Sequence, residues 1–137
     1  MSAPVPRTPR ASLPVSKITQ ILNHPQYLKV FRIFLESSHC DENLSFWLEV
    51  EQYKTETQQE RVDHAKYIWE KYLELNSSKE VNISDDIRLL TQKVYESSNN
   101  SPASDLFTHA QTAVYLLMET ESFPKFIVSN LFKEFLG

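Results

Sequence analysis

The stretch 40-CDENLSFWLEVEQY-53 predicts a helix that begins with polar residues and is apolar around most of its circumference. Asp41 and Glu42, near the first turn, oppose the partial positive charge of the unpaired N–H groups. Helix physics gives no reason for Asn43. Most of the helical wheel is covered by Leu44, Phe46, Trp47, Leu48, Val50 and Tyr53. We therefore expect a helix through the middle of a core, with Glu51 leaving the core at its rim or meeting a cation there.

Length and composition limit the class of protein. The 137 residues fit one domain with a real core. The single glycine, Gly137, argues against the glycine-rich loops that wrap nucleotide phosphates, and the single cysteine, Cys40, cannot form an internal disulfide. A secretory segment and an apolar run of membrane-spanning length are both missing from the sequence. These features predict a soluble cytoplasmic protein or domain that needs no cofactor.

Charge and proline are unevenly distributed. The net charge is −4, and residues 1–17 carry three cations and no acid, which leaves −7 for the remainder. That remainder is a poor partner for nucleic acid and favours a partner with basic patches. Residues 1–14 hold four of the seven prolines and predict a disordered tail. Arg7 and Arg10 leave open a weak or indirect membrane association, including recruitment to the inner face of the plasma membrane. We expect a monomer.

The pattern from Val15 onward is helical, with neither strand alternation nor an internal repeat, and predicts an all-α fold of about eight or nine helices. Pro25 fits the first turn of a second helix, and Ser84 fits the N-cap of a fifth. The core face expected for that fifth helix consists of Ile87, Leu90 and Val94. A short helix over 103–109 is expected to lead into a long one, followed by two short helices rich in phenylalanine.

One alternative is a small metal-dependent enzyme. The cluster 39-HCDE-42 offers an imidazole, a thiol and carboxylates. Structural zinc needs about four ligands with paired spacing, and the chain has no second cysteine. His24, His64 and His109 are scattered, and neither HExxH nor GxSxG occurs. We expect no metal, although a metal-dependent enzyme would be recognised by stoichiometric zinc in the purified protein.

Three blocks of the chain together resemble the RGS domain, the regulator of G-protein signalling module. They are 42-ENLSFWLEVEQYK-54, 80-EVNI-83 with Arg88 behind it, and 106-LFTHAQTAVYLLMETESFPKFIVS-129. The resemblance places an RGS domain over residues 15–137. It implies about nine helices, of which the fourth to seventh form an antiparallel four-helix bundle, while the first three and the last two form a terminal subdomain.

The resemblance also implies a function. RGS domains bind the GTP-bound α subunit of a heterotrimeric G protein (Gα) and hold its switch regions in the transition-state arrangement. GTP hydrolysis accelerates, and signalling ends, because the groups of Gα itself are preorganised. The domain is therefore a GTPase activator and not an enzyme, it donates no arginine finger, and it has no catalytic residue of its own.

The residues that match the Gα-binding positions of the family are Glu42, Asn43, Asn82, Arg88, Leu117, Glu121, Ser122 and Lys125. A partner surface at Glu42 and Asn43 would explain the polar start of the third helix. Asn82 matches the asparagine that reaches the Gα switch regions, where an amide can donate and accept without adding charge. Judged without the family, Asn82 would be an ordinary turn residue that bonds its own backbone.

Two of these positions depart from the family pattern. Glu121 stands where the family usually has aspartate, and Lys125 stands where it usually has arginine. Both keep the sign of the charge, but the carboxylate lies one methylene further out and lysine lacks the planar fork of arginine. We expect lower activator efficiency or a shifted Gα preference. The departures also keep a second reading open, an RGS-homology scaffold or sorting module without GTPase-activating (GAP) activity.

Overall fold

The computed structural model describes residues 15–137, and the predicted disordered tail over 1–14 lies outside the described residues. Every regular element within 15–137 is helical, which confirms the predicted all-α class. The eight α-helices of this part are α1 Ile18–Leu22, α2 Pro25–Ser37, α3 Glu42–Lys54, α4 Gln58–Ile68, α5 Asp85–Glu96, α6 Thr108–Leu117, α7 Phe123–Ile127 and α8 Asn130–Leu136. A π-helical turn, Trp69–Leu73, follows α4, and another, Met118–Ser122, follows α6. Within the same residues, no helix is long and apolar enough to cross a membrane.

Two helix starts follow from local side-chain chemistry. Pro25 occupies the first turn of α2, where its missing N–H costs nothing, and His24 Nδ1 accepts a 3.4 Å hydrogen bond from the Tyr27 amide. At the start of α5, Ser84 Oγ accepts a 3.3 Å hydrogen bond from the Ile87 amide. Both predicted helix starts are confirmed.

The described chain divides into two compact units. Unit one contains the described residues up to Asp41 together with Met118–Gly137, and unit two spans Glu42–Leu117. Unit two therefore holds four helices, the number expected for the bundle. They are the third to sixth helices and not the fourth to seventh, because the described residues before the bundle form two helices and not three.

Unit one has an aromatic core. α2 packs against α1 and α8, and α7 packs against α8. The Phe126 ring lies 5.0 Å from that of Phe31 and 4.6 Å from that of Phe132, and all three rings are buried. Contact between the rings adds to the free energy gained by removing their apolar surface from water.

The core of unit two is built around α3, which packs against α4 and α6. Of its apolar residues, those that are at most 1% exposed are Leu44, Phe46, Val50 and Tyr53. The predicted passage of this helix through a core is therefore confirmed. Glu51 does meet a cation, since Lys54 Nζ lies 2.8 Å away, and Gln111 Nε2 donates to the same carboxylate oxygen at 2.7 Å. Burial acts to raise the pKa of Glu51, but these hydrogen bonds hold it below its ordinary value.

The predicted core face of α5 is wrong. Leu90 is 47% exposed and Val94 is 46% exposed, and Ile87 is only half-buried. The buried residues of α5 are Arg88 and Thr91. Backbone carbonyls compensate most of this burial. Arg88 Nη1 and Nη2 donate to the carbonyls of Leu73 and Val81, although its buried Nε has no partner among residues 15–137. Thr91 Oγ1 donates to the Ile87 carbonyl at 2.9 Å.

The short helix expected over 103–109 is also wrong. Residues 104–107 form a turn, and α6 begins at Thr108. The carbonyls before this turn accept bonds from side chains: Arg61 Nε donates to Pro102 O at 3.0 Å, and the Tyr53 hydroxyl donates to Ala103 O at 2.7 Å. Side chains of α3 and α4 thereby fix the segment in a non-helical path.

Candidate functional site

Asn82 lies in the segment 74–84, which joins the π-helical turn after α4 to α5. Its neighbours Val81 and Ile83 are 0% and 9% exposed, whereas Asn82 itself is exposed. The Val81 amide donates a 2.9 Å hydrogen bond to Tyr72 O. Within the described part of the chain, the Asn82 side chain makes no hydrogen bond, so the ordinary turn-residue reading is not supported. The segment therefore presents an unbonded amide group to solvent on an anchored backbone.

The buried side chain of Arg88 holds this segment from the side of α5. One guanidinium nitrogen, Nη1, donates to Leu73 O, and the other, Nη2, donates to Val81 O at 3.2 Å. Nη2 also lies 3.3 Å from a carboxylate oxygen of Glu80. A guanidinium that is mostly out of water needs such partners, because an uncompensated buried charge is strongly destabilising. Arg88, only 7% exposed, is thus used inside the chain and is not presented at its surface.

The first turn of α3 carries Glu42 and Asn43, which differ in exposure. Glu42 is half-buried, whereas Asn43 is only 5% exposed. Asn43 Oδ1 is buried, and none of residues 15–137 supplies a hydrogen-bond donor for it. An unsatisfied buried acceptor of this kind costs about 1–3 kcal/mol, so the chain keeps a destabilising polar atom at the start of its main core helix.

The four other predicted positions fall in both units. Leu117, the last residue of α6, belongs to unit two and is half-buried. In unit one, Glu121 is exposed and Ser122 is half-buried at the end of the π-helical turn, and Lys125 is exposed on α7. Unit two thus carries Glu42, Asn43, Asn82, Arg88 and Leu117, and unit one carries Glu121, Ser122 and Lys125.

Sequence reasoning missed one ionisable cluster in unit two, which is centred on His64. His64 Nε2 lies 2.7 Å from Glu49 Oε1, and His64 Nδ1 lies 2.7 Å from Glu56 Oε1. Burial would lower the pKa of His64, but the hydrogen bonds with the two carboxylates raise it above its ordinary value. No periodicity could reveal this cluster, because its members come from α3, from α4 and from the connection between them.

The metal reading of 39-HCDE-42 has no support in the described residues. His39 is exposed in a left-handed backbone conformation at φ 57°, and Cys40 is half-buried. Across residues 15–137, no group of three or more histidine, cysteine, aspartate or glutamate side chains is placed to hold a metal ion.

Comparison with known protein families identifies the class. A family model described as the regulator of G protein signaling domain matches residues 17–135. The chain therefore belongs to the regulator of G protein signaling (RGS) family, as the three sequence blocks predicted.

Its relatives carry names of the same kind. The chain is 30% identical over 118 residues to Regulator of G-protein signaling rgs-2 of Caenorhabditis elegans, across 85% of this chain and 68% of that protein. It is 34% identical over 119 residues to Regulator of G-protein signaling 19 of Rattus norvegicus, across 85% of this chain and 53% of that protein. The chain thus spans about half the length of the rat protein.

A solved structure supports the fold. The chain is similar to the rgRGS domain of PDZRhoGEF, determined in a complex with Gα-13 bound to GTP-γ-S, with a TM-score of 0.69. The similarity covers 93% of this chain and 70% of the other at 22% sequence identity. The all-α RGS-like fold predicted from the sequence is confirmed.

Proposed function

We propose that this chain is a GTPase-activating protein for the α subunit of a heterotrimeric G protein. It binds GTP-bound Gα, stabilises the switch regions in the transition state of hydrolysis, and so ends signalling. The chemistry takes place in Gα, so the chain is an activator and not an enzyme. Membership of the RGS family supports this proposal, as does the similarity to a domain whose solved structure contains Gα-13.

The observation that carries the proposal is the exposed, unbonded amide of Asn82. Its backbone is anchored on both sides by buried residues, so little conformational freedom remains to be lost when a partner binds. An amide can donate to one switch residue and accept from another, and it adds no charge near the reacting phosphate. Groups fixed before the reaction accelerate it because they need no reorganisation in the transition state.

The remaining predicted residues divide into two roles by their exposure. Glu42, Leu117, Glu121, Ser122 and Lys125 are exposed or half-buried, and we assign them to contact with Gα. Asn43 and Arg88 are buried in the chain, and they support the contacting residues from behind. We place the chain in the cytoplasm as a monomer, with any recruitment to the inner face of the plasma membrane weak or indirect.

The proposal is tested by the affinity of the chain for three forms of Gα: loaded with GDP, with GTP-γ-S, and with GDP plus aluminium fluoride, which mimics the transition state. An activator binds the aluminium fluoride form most tightly, because catalysis is differential binding of the transition state. Subunits from each main Gα class are compared, which also identifies the preferred class.

The second candidate is an RGS-homology scaffold or sorting module without GAP activity. The departures at Glu121 and Lys125 favour it, because both lie among the matched Gα-binding positions. A scaffold would bind Gα with equal affinity in all three forms or would not bind it. Either result would contradict the activator proposal.

A further inference from the structure

We propose that Arg88 is a positioning residue for Asn82: its guanidinium ties Leu73, just before the segment 74–84, to Val81, just before Asn82, and so fixes where the Asn82 amide stands. This inference rests on the proposed function, because Asn82 is the group that the segment would present to Gα. It also changes the role of Arg88 itself, which the family match places at the edge of the binding surface.

The two carbonyls to which Arg88 donates lie on either side of residues 74–80. Leu73 is the last residue of the π-helical turn, and Val81 directly precedes Asn82. Arg88 Nη1 donates to the first carbonyl, and Nη2 donates to the second at 3.2 Å. One planar guanidinium therefore cross-links the end of the π-helical turn to the residue before Asn82.

Glu80 adds a third connection. One of its carboxylate oxygens lies 3.3 Å from Arg88 Nη2, and the other accepts a 2.9 Å hydrogen bond from the Asn76 amide. Asn76 has a φ of 67°, in the left-handed region that asparagine tolerates better than most residues. The pair of Glu80 and Arg88 thus links the middle of the segment to α5 and balances the charge of the guanidinium.

The geometry indicates that Arg88 acts on Gα only through Asn82. Arg88 is 7% exposed, so a partner surface would reach little of it. Lysine could not reproduce the arrangement, because an ammonium is a point charge without the planar fork that serves two carbonyls at once. Both Arg88→Lys and Arg88→Met should therefore release the segment.

The first experiment needs no Gα. Amide hydrogen exchange is measured in the wild type, Arg88→Lys, Arg88→Met and Glu80→Gln, and the Val81 amide, bonded to Tyr72 O, is the reporter. We expect exchange at Val81 to accelerate by about tenfold or more in both Arg88 variants, with the amides of α3 and α6 unchanged. Glu80→Gln keeps the size of the side chain and should give a smaller acceleration at Val81. It serves as the test if Arg88→Met fails to fold.

Arg61→Met is the matched control. Arg61 is a half-buried arginine of unit two, and it donates to the carbonyls of Pro102 at 3.0 Å and Glu56 at 2.8 Å. Its loss should affect the segment around Pro102 and leave exchange at Val81 unchanged. Unchanged exchange at Val81 in both Arg88 variants, or equal acceleration in Arg61→Met, would overturn the positioning role.

The second experiment is a double-mutant cycle of GTP hydrolysis by Gα. Arg88→Met alone should reduce the acceleration by about tenfold or more, the effect of a misplaced catalytic contact, but should cause little further loss in the Asn82→Ala background. Arg88→Lys should lose the acceleration of GTP hydrolysis as Arg88→Met does, because lysine lacks the planar guanidinium. Additive losses would contradict action through Asn82. A wild type that accelerates no Gα would overturn the proposed function, and the exchange measurement would still decide the positioning role.

Discussion

The imidazole of His64 on α4 is held between Glu49 of α3 and Glu56 of the connecting segment, with 2.7 Å contacts at both ring nitrogens. A neutral imidazole has one donor and one acceptor nitrogen, so it would turn a lone pair towards one of the two carboxylates. Only the protonated ring can donate a hydrogen bond to both carboxylates. The Tyr53 and Tyr67 rings lie beside His64, at centroid distances of 5.9 and 6.2 Å.

Other charged groups surround this cluster. Arg61 of α4 lies over the Tyr53 ring, and Lys71 of the π-helical turn donates to the Tyr67 hydroxyl. Asp105, in the turn before α6, acts on Tyr53 by its charge. The groups in direct contact with the imidazole nitrogens are the two glutamates, so we assign the raised pKa of His64 to them.

This cluster predicts the pH dependence of stability. A group whose folded pKa is raised stabilises the fold fully below its unfolded pKa, about 6.5 for histidine, and loses that contribution as pH rises through the folded value. Between about pH 6 and pH 9 the wild type should therefore lose more free energy of unfolding than His64→Gln. Urea unfolding at a series of pH values measures this, and groups shared by both proteins cancel in the difference.

A second measurement on the same cluster is the pKa of His64, determined by NMR titration. Glu49→Gln and Glu56→Gln should each lower its pKa, whereas Asp63→Asn, which removes the same charge one residue away on an exposed side chain, should change it much less. A His64 pKa that stays unchanged in both glutamine variants would show that the contacts do not control the titration.

Tyr53→Phe should destabilise unit two. The buried Tyr53 hydroxyl donates to Ala103 O at 2.7 Å, and burial raises the pKa of Tyr53 to about 12, so the donor stays protonated at neutral pH. Removing it should cost about 1–2 kcal/mol, because the Ala103 carbonyl loses its donor. The comparison variant is Tyr67→Phe, because Tyr67 is 43% exposed and its hydroxyl accepts a hydrogen bond from Lys71 near the surface. Urea unfolding that gave equal losses for both variants would contradict this account.

Asn43→Leu should separate stability from function. Replacing the unsatisfied Asn43 Oδ1 with an apolar side chain of similar size should raise the free energy of unfolding by about 1 kcal/mol. The same change should weaken the acceleration of GTP hydrolysis if Asn43 supports the Gα-binding surface. Both quantities are measured on one preparation. A variant that was less stable, or that was more stable and fully active, would show that this amide is not kept for function at the expense of stability.

Glu121→Asp and Lys125→Arg should raise the efficiency of GTPase activation severalfold, because they restore the shorter carboxylate and the planar guanidinium of the family pattern. Single-turnover hydrolysis with each variant and with both together measures the gain. Lys133→Arg, at an exposed position on α8, is the control and should have no effect. A loss of activation in the double variant would indicate that Glu121 and Lys125 are adapted to a different partner surface.

The contrast between α3 and α5 shows how much of the fold could be predicted. α3 was predictable because its apolar residues cover most of the wheel and two acids, Asp41 and Glu42, stand at its start. The inward side of α5 is formed by Arg88 and Thr91, and their burial depends on carbonyl groups that only the folded chain brings near. Leu90 and Val94 follow helical spacing and still face solvent.

The candidate site was also predictable only in part. The resemblance to the RGS family made Asn82 a candidate, and the burial of its neighbours Val81 and Ile83 became visible only in the structure. The internal role of Arg88 and the cluster at His64 both depend on contacts between separate elements, and no spacing along the chain encodes those contacts.

The most direct measurement of the central claim is single-turnover GTP hydrolysis by preloaded Gα, with wild type, Asn82→Ala and the control Asn130→Ala, an exposed asparagine of α8. We predict that the wild type accelerates hydrolysis by at least one class of Gα. Asn82→Ala should reduce that acceleration by about tenfold or more, equivalent to about 1.4 kcal/mol in barrier height, and Asn130→Ala should leave it unchanged. Failure of the wild type to accelerate any Gα, or full activity of Asn82→Ala, would contradict the account.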